Sequence, residues 1–339
     1  MTDLPAIAAS LRSSILAHRE AMDRDRRLPQ ALADEMARAG FYRMLVPSLY
    51  GGGEVSPATF IETLEALGEI DASAAWIAMI GATAGLNAAY LDDTAAREIF
   101  GDPRHLCTGV FAPMGKAHIE GEMLRVSGRW KWNSGGHVSH WLGGGCILYE
   151  NGEPKLGADG APEHRMVMFP ASKAMQIDTW HTSGLKGTGS GDMSVEEVRV
   201  PSSHAAQLIN GVPQIERPLY AFPLFGLLSL GIAGVASGNA RGAIEDFKAM
   251  ANGRRLPNGR SFATRSSVRS VYAEAVADYG GARAFLLDEA ARGWAEAQTG
   301  GRLSIERRAR LRLAATAMVR RSTEIVRRLQ DAAGGPAVF

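Results

Sequence analysis

The side chains best suited to chemistry crowd between His105 and Trp141, where Trp130, Trp132, Asn133, Ser134 and His137 follow one another closely. Two indoles beside a hydroxyl and an amide, followed by Gly135–Gly136, suit a flat heteroaromatic ligand, because glycine lets backbone approach a ring closely. A tryptophan-rich hairpin is more commonly plain core, so these residue types alone do not separate the two readings. A second stretch, Trp180 to Asp192, is rich in glycine and hydroxyls and could be taken for a phosphate cradle. It leads into a strand pattern and not into a helix N-terminus, so neither a P-loop nor a dinucleotide fingerprint fits it. Cys107 and Cys146 have no metal-ligand spacing and read as small buried hydrophobes in a reducing compartment. No metal is expected.

The elements that must position these groups follow from periodicity and breakers. Residues 1–103 read as helical, with Leu11, Ile15 and Met22 at helical spacing and Pro29 opening a helix that Gly40 stops. Pro57 opens the next helix, Asp71 precedes an uncharged helix containing Trp76 and Thr83, and Asp92–Asp93 cap another. Residues 104–210 read as a strand-rich domain of consecutive antiparallel strands. Leu106–Phe111 breaks at Ala112–Pro113, then come Lys116–Glu120, Met123–Ser127, Trp132–Ser134, His140–Glu150, Met166–Pro170 and Met193–Val200. Residues 211–339 return to long amphipathic helices, Val268–Trp294 and Ser304–Leu329 among them, which implies an antiparallel bundle.

Composition excludes some functions. Thirty-seven basic against 36 acidic residues give no global field for nucleic acid or anionic membrane. The arginines of 307–328 carry no interleaved aromatic residue for stacking, so a solvated or subunit-facing surface is the expectation there. Two uncharged stretches, Ala72–Leu91 and Pro218–Ala240, are long enough to span a bilayer, but both are moderately hydrophobic and lack flanking anchors. Helices buried inside a cytoplasmic protein explain them, and no membrane partner is expected.

Gly128–Arg129–Trp130–Lys131–Trp132–Asn133–Ser134–Gly135 resembles the G-x-K-x-W-I-T-N strand of the acyl-CoA dehydrogenase superfamily. It is more similar to the G-R-W-x-F-x-S-G version of the reduced-flavin monooxygenase branch. Gly184–Leu185–Lys186–Gly187–Thr188–Gly189–Ser190–Gly191–Asp192 resembles that family's G-L-x-G-T-G-S-x-D segment. The resemblance implies an α+β fold: an N-terminal helical domain, a central antiparallel β-barrel or sandwich, and a C-terminal helical bundle. A flavin would lie against the β-domain, with Thr108, Gly109, Val110, Ala112, Trp132, Asn133 and Ser134 around it and Ser134 facing N5. Trp76, Thr83 and Met114 fall where substrate contacts are implied, Thr83 standing where hydroxylases often carry a histidine.

The implied activity is hydroxylation of an aromatic or polycyclic substrate through a C4a-hydroperoxyflavin. Reduced FMN (or FAD) would come from a separate flavin reductase, and the protein would be a homo-oligomer, tetramer or dimer. The alternative is an FAD-dependent acyl-CoA dehydrogenase, which needs a carboxylate base; the resemblance implies it either in a C-terminal segment, which would fall beyond Phe339, or at the start of the first bundle helix, where residues 217–244 contain none. The branch pattern S-G-x-x-H-x-x-W is offset here, with His137 one place early and Val138 in the usual position, so the catalytic histidine is His137, with His140 as a nearby substitute; either also reads as a loop residue satisfied by backbone. The stretch 332–337 resembles the family's glycine-containing break before its last helices. The expectation is therefore a chain short of those helices and ending on an apolar Val338–Phe339. A third reading follows from that ending: a non-catalytic relative that pairs with a longer subunit.

Overall fold

Periodicity and caps become helices where the sequence places them. In the computed structural model, which describes residues 3–335, six helices precede the sheet: α1 (Leu4–Ser10), α2 (Arg12–Asp25), α3 (Gln30–Arg38), α4 (Pro57–Ile70), α5 (Ala72–Ala84) and α6 (Asp93–Phe100). The strands are β1 (Cys107–Glu120), β2 (Met123–Trp130), β3 (Trp141–Glu150), β4 (Glu153–Pro154), β5 (His164–Pro170), β6 (Met175–Ile177), β7 (Asp192–Pro201) and β8 (Ala205–Ala206). Helices α7 (Pro218–Ala221), α8 (Leu224–Gly253), α9 (Ser266–Gln298) and α10 (Ile305–Ala333) follow. The starts have chemical causes. Ser56 Oγ accepts from the Thr59 amide at 3.2 Å, and Asp92 Oδ1 from the Ala95 amide at 2.8 Å. The expected break at Pro336–Ala337 and the apolar Val338–Phe339 lie outside the described residues.

The chain groups into two compact units. One draws on Met1–Arg12, Ser56–Ala75 and Ala221–Phe339, the other on Ser13–Val55 and Trp76–Tyr220. The grouping cuts across the order of elements, because α4 packs with the late helices. In that first unit, α4 and α8 meet backbone to backbone: a Cβ added at Gly238 would lie 2.3 Å from the Glu65 carbonyl oxygen. Ala240, Ile244, Phe247, Val268, Ala275, Ile325 and Leu329 continue its core. Two carboxylates are buried there. Glu65 accepts from Ser237, Tyr279 and Arg283, and Glu289 pairs with Arg307 and Arg310 of α10. Arg328 pairs with Asp278 and Glu274, so several of the α10 arginines lie on α9 carboxylates.

The second unit is built on one sheet of order β6-β7-β2-β1-β3-β5-β8, with β4 beside β3. It differs from the expected run of antiparallel strands: β1 and β3 pair in parallel, from Cys107 opposite Trp141 to His118 opposite Tyr149. The chain does not end a strand at Pro113 either. β1 runs through, with register shifts between Val110 and Pro113 and between Pro113 and Gly115. Proline has no N–H to donate, so the ladder bulges there. Trp130, fully buried, is the centre of this core, with its indole N–H on the Gly145 carbonyl at 2.8 Å. Within the Gly143–Gly145 interruption, Gly144 has its physical reason in that ring, while Gly143 faces Met166 and Met168 and Gly145 faces the Phe111 and Ala112 carbonyls. A Cβ at Gly144 would lie 2.5 Å from Trp130 Cζ2, and one at Gly115 2.2 Å from the same atom. Of the two uncharged stretches, Ala72–Ala89 is long and apolar enough to cross a membrane by length and composition, and 83% of it is buried within the protein.

Candidate active site

β2 stops at Trp130 because the next residues cannot continue a ladder. Trp132 has φ +67° and Gly135 φ +71°, so the expected strand Trp132–Ser134 is instead a tight turn. A bulky residue at positive φ is costly and persists only where its surroundings over-determine it. The turn is held by the glycine-rich loop: the Asn133 amide donates to the Gly191 carbonyl at 2.8 Å and the Gly135 amide to the Thr188 carbonyl at 2.9 Å. Leu185 and Gly189 of that loop also have positive φ. The two stretches singled out by composition are therefore one structure.

Their apposition makes a line of hydroxyls. Trp76 of α5 donates its indole N–H to Ser134 Oγ at 3.1 Å. Ser134 Oγ lies 2.7 Å from Ser190 Oγ, and Ser190 Oγ lies 2.6 Å from Thr188 Oγ1. Thr188 Oγ1 donates in turn to the Leu185 carbonyl at 2.8 Å. Ser134 is 5% exposed, while Ser190 and Thr188 are buried. Beside them the Asn133 amide donates to Gln176 Oε1 at 3.3 Å, and Asn133 Oδ1 is a buried acceptor without a donor.

The other expected site residues divide. Thr108 is buried, with its hydroxyl 2.7 Å from Ser139 Oγ, which donates to the Gly135 carbonyl; it braces the turn from beneath. Gly109 sits where strands meet, since a Cβ there would lie 2.3 Å from the Gly143 carbonyl oxygen. Val110 and Ala112 are half-buried, whereas Met114 is 43% and Trp132 67% exposed, an apolar surface beside the turn sequence. The Thr83 hydroxyl is spent on the Met79 and Ile80 carbonyls of its own helix. His137 Nε2 meets the Leu28 carbonyl at 3.1 Å, and burial lowers its pKa despite that bond. The ring is thus a neutral donor to backbone at pH 7 and bridges the turn to the link before α3. His140 accepts the Leu106 amide through Nδ1 at 3.3 Å and stacks on His105 at 4.5 Å.

Structure thus brings together Trp76, Asn133, Ser134 and, through Ser139, Thr108; it ties His137 and Thr83 to backbone. Ser190 and Thr188 are the polar groups that residue-by-residue reading of the sequence passed over, and their signal was the hydroxyl spacing inside the G-T-G-S-G-D segment. A cavity of about 590 Å³ among Phe262, Arg265, Val268, Val271, Arg328 and Asp331 is lined by none of the expected residues. Among the described residues no group of His, Cys, Asp or Glu could hold a metal ion.

Comparisons with known proteins converge on one family. Residues 6–96 match the acyl-CoA dehydrogenase N-terminal domain and residues 230–339 the acyl-CoA dehydrogenase C-terminal domain. The chain is 30% identical to an indole-3-acetate monooxygenase of Acinetobacter baumannii, a match covering 99% of this chain and 85% of that protein. It is 27% identical to HsaA of Mycobacterium tuberculosis, described as the oxygenase subunit of a flavin-dependent monooxygenase, over 92% of this chain and 80% of that protein. The crystal structure of the M. tuberculosis HsaA monooxygenase superimposes with a TM-score of 0.88 at 26% identity, covering 99% of this chain and 87% of the other. The chain belongs to the acyl-CoA dehydrogenase superfamily, in its branch of flavin-dependent monooxygenases.

Proposed function

We propose that this chain is the oxygenase component of a two-component system. It receives reduced FMN or FAD from a separate flavin reductase and hydroxylates an electron-rich aromatic ring, of the indole or phenol class. The observation that carries the reading is Ser134: a nearly buried hydroxyl on a turn strained at Trp132, holding the Trp76 indole on one side and Ser190 on the other. Its oxygen has two lone pairs and one hydrogen, and those two contacts leave one lone pair unused. Together with the exposed Trp132 face and the buried Asn133 acceptor, these residues fit a flat, polar-edged ring. Trp132, Asn133 and Ser134 would hold the flavin, Ser134 facing N5, while Trp76 and Met114 face the substrate.

When bound, reduced flavin supplies the electrons that activate O₂; the protein's share is to place the ring, address N5 and keep water away. Ser134 does the second. Trp76, by bonding Ser134, does it indirectly, since an indole on that oxygen prevents the hydroxyl from turning to solvent. The absence of any carboxylate in residues 217–244 removes one of the two places where the base of the dehydrogenase reaction would stand. The same reading puts the chain in the cytoplasm as a homodimer or homotetramer.

The test is anaerobic loading with reduced FMN, then mixing with oxygen in the presence of indole- and phenol-type substrates. Hydroxylated product should account for most of the flavin oxidised. Ser134→Ala should divert at least tenfold more of it to hydrogen peroxide, about 1.4 kcal/mol of lost discrimination. Bleaching of bound oxidised flavin by an acyl-CoA, with no hydroxylated product, would refute the reading.

A further inference from the structure

The hydroxyl line beneath Ser134 has a direction, and both ends set it. At one end an indole N–H can only donate; at the other a carbonyl can only accept. The Leu185 carbonyl receives the Thr188 hydroxyl at 2.8 Å, along with the Trp180 indole at 3.0 Å and the Thr188 amide at 3.1 Å. With its hydrogen committed there, Thr188 Oγ1 must accept from Ser190. Ser190, its own hydrogen used, must accept from Ser134 at 2.7 Å. The reverse order would set Thr188 Oγ1 against the Leu185 oxygen at 2.8 Å with no hydrogen between them. It would also leave the Ser134 hydrogen without an acceptor among the described residues, because its remaining neighbour, Trp76 Nε1, is a donor. All three hydroxyls are within 5% of complete burial, so water does not scramble the order.

We infer that Ser190 and Thr188 are positioning residues that hold Ser134 as a hydrogen-bond acceptor and so select flavin whose N5 carries a hydrogen. The inference rests on the reading above that Ser134 faces N5. Reduced flavin offers an N–H at that atom and finds the unused Ser134 lone pair. Oxidised flavin offers a lone pair instead and meets oxygen against nitrogen with no hydrogen to share. Selection for the reduced form is thus written two and three hydroxyls away from the ring, in groups with no need to touch it.

Removing the acceptor below Ser134 should free its hydrogen to serve oxidised N5. Ser190→Ala does so directly. Thr188→Val, nearly isosteric, does so by removing the acceptor of Ser190, which can then donate back to Ser134. Dissociation constants for oxidised FMN by fluorescence and for reduced FMN under anaerobic conditions give the oxidised-to-reduced ratio for each protein. The midpoint potential of bound FMN measures that ratio independently. Both variants should lower the ratio roughly tenfold, mainly by tightening oxidised FMN, and lower the bound potential by about 30 mV for that two-electron couple. Ser134→Ala should also lower the ratio, but by weakening reduced FMN. The inference is overturned if wild type prefers oxidised FMN, or if both variants bind FMN with the wild-type ratio within twofold. Failure of wild type to bind either form would instead sink the flavin reading itself, and this inference with it.

Discussion

Glu65 offers a stringent test of how the helical unit is held together. Its carboxylate is 1% exposed and accepts from Ser237 Oγ at 2.8 Å, from Arg283 Nε at 2.9 Å to each oxygen, and from the Tyr279 hydroxyl. Replacing it by alanine strands the buried Ser237 hydroxyl and the half-buried Tyr279 hydroxyl, each costing about 1–2 kcal/mol when unpaired. It also removes one methylene, worth about 0.8 kcal/mol. The guanidinium groups add little, since Arg283 keeps Glu62 at 3.7 Å, Arg241 keeps Glu69, and both are about a third exposed. The total is about 4 kcal/mol. With unfolding entropy near 2.1 cal/mol/K per residue, that is a fall of about 6 °C in Tm if the 339 residues unfold together. Glu65→Gln keeps the shape but turns an amide N–H toward Arg283, so about half the loss is expected.

The pH dependence has a definite sign. Burial pushes Glu65 up, but bonds from Arg283, Tyr279 and Ser237 together outweigh it and bring the carboxyl below its ordinary 4.5. Its contribution is therefore intact above about pH 4.5 and drains as pH falls through the lower folded-state value. The gap between wild type and Glu65→Gln should narrow on acidification below that point. Urea and thermal unfolding followed by circular dichroism at pH 7.5 and pH 4 measure both effects. A Glu65→Ala protein within about 1 kcal/mol of wild type at pH 7.5 would refute the account.

Other consequences are as direct. Gly144→Ala pushes a methyl to 2.5 Å from the Trp130 ring and should cost about 1–3 kcal/mol in urea unfolding, with altered near-ultraviolet dichroism; unchanged spectra would contradict the slot. Burial pushes both Cys107 and Cys146 thiols up to about 12, so neither should react with a thiol reagent at pH 8 until the protein is unfolded; labelling within minutes in the native state would show them exposed. Burial lowers the pKa of His137, so its share of stability is whole above about pH 6.5 and shrinks below it, by no more than about 1.4 kcal/mol per pH unit. His137→Asn should flatten the stability profile between pH 6.5 and 5, and an identical profile would remove the assignment.

Much of this architecture is legible in one sequence because local rules write it. The cap at Asp92, proline at the head of α4 and long apolar stripes in α9 and α10 fix their own hydrogen bonds within a few residues. Family motifs located Ser134 and Trp132. Three things were not legible. The parallel pairing of β1 with β3 depends on which distant strand arrives alongside, and an alternating pattern reads the same in either direction. The course of β1 through Pro113 depends on a bulge that the neighbouring strand accommodates. The grouping of α4 with the late helices depends on glycines of α8 separated from it by the whole sheet.

The site shows the same division. Residue type alone marked a hydroxyl beside tryptophans, because those groups carry their chemistry wherever they lie. Tertiary structure decided what the hydroxyl does, by folding Thr188–Ser190 onto the Trp132–Gly135 turn and giving the hydrogen of Ser134 a single destination. A hydrogen bond's direction is a property of the complete line from donor-only indole to acceptor-only carbonyl, and the sequence holds the two ends of that line, Trp76 and Leu185, more than a hundred positions apart.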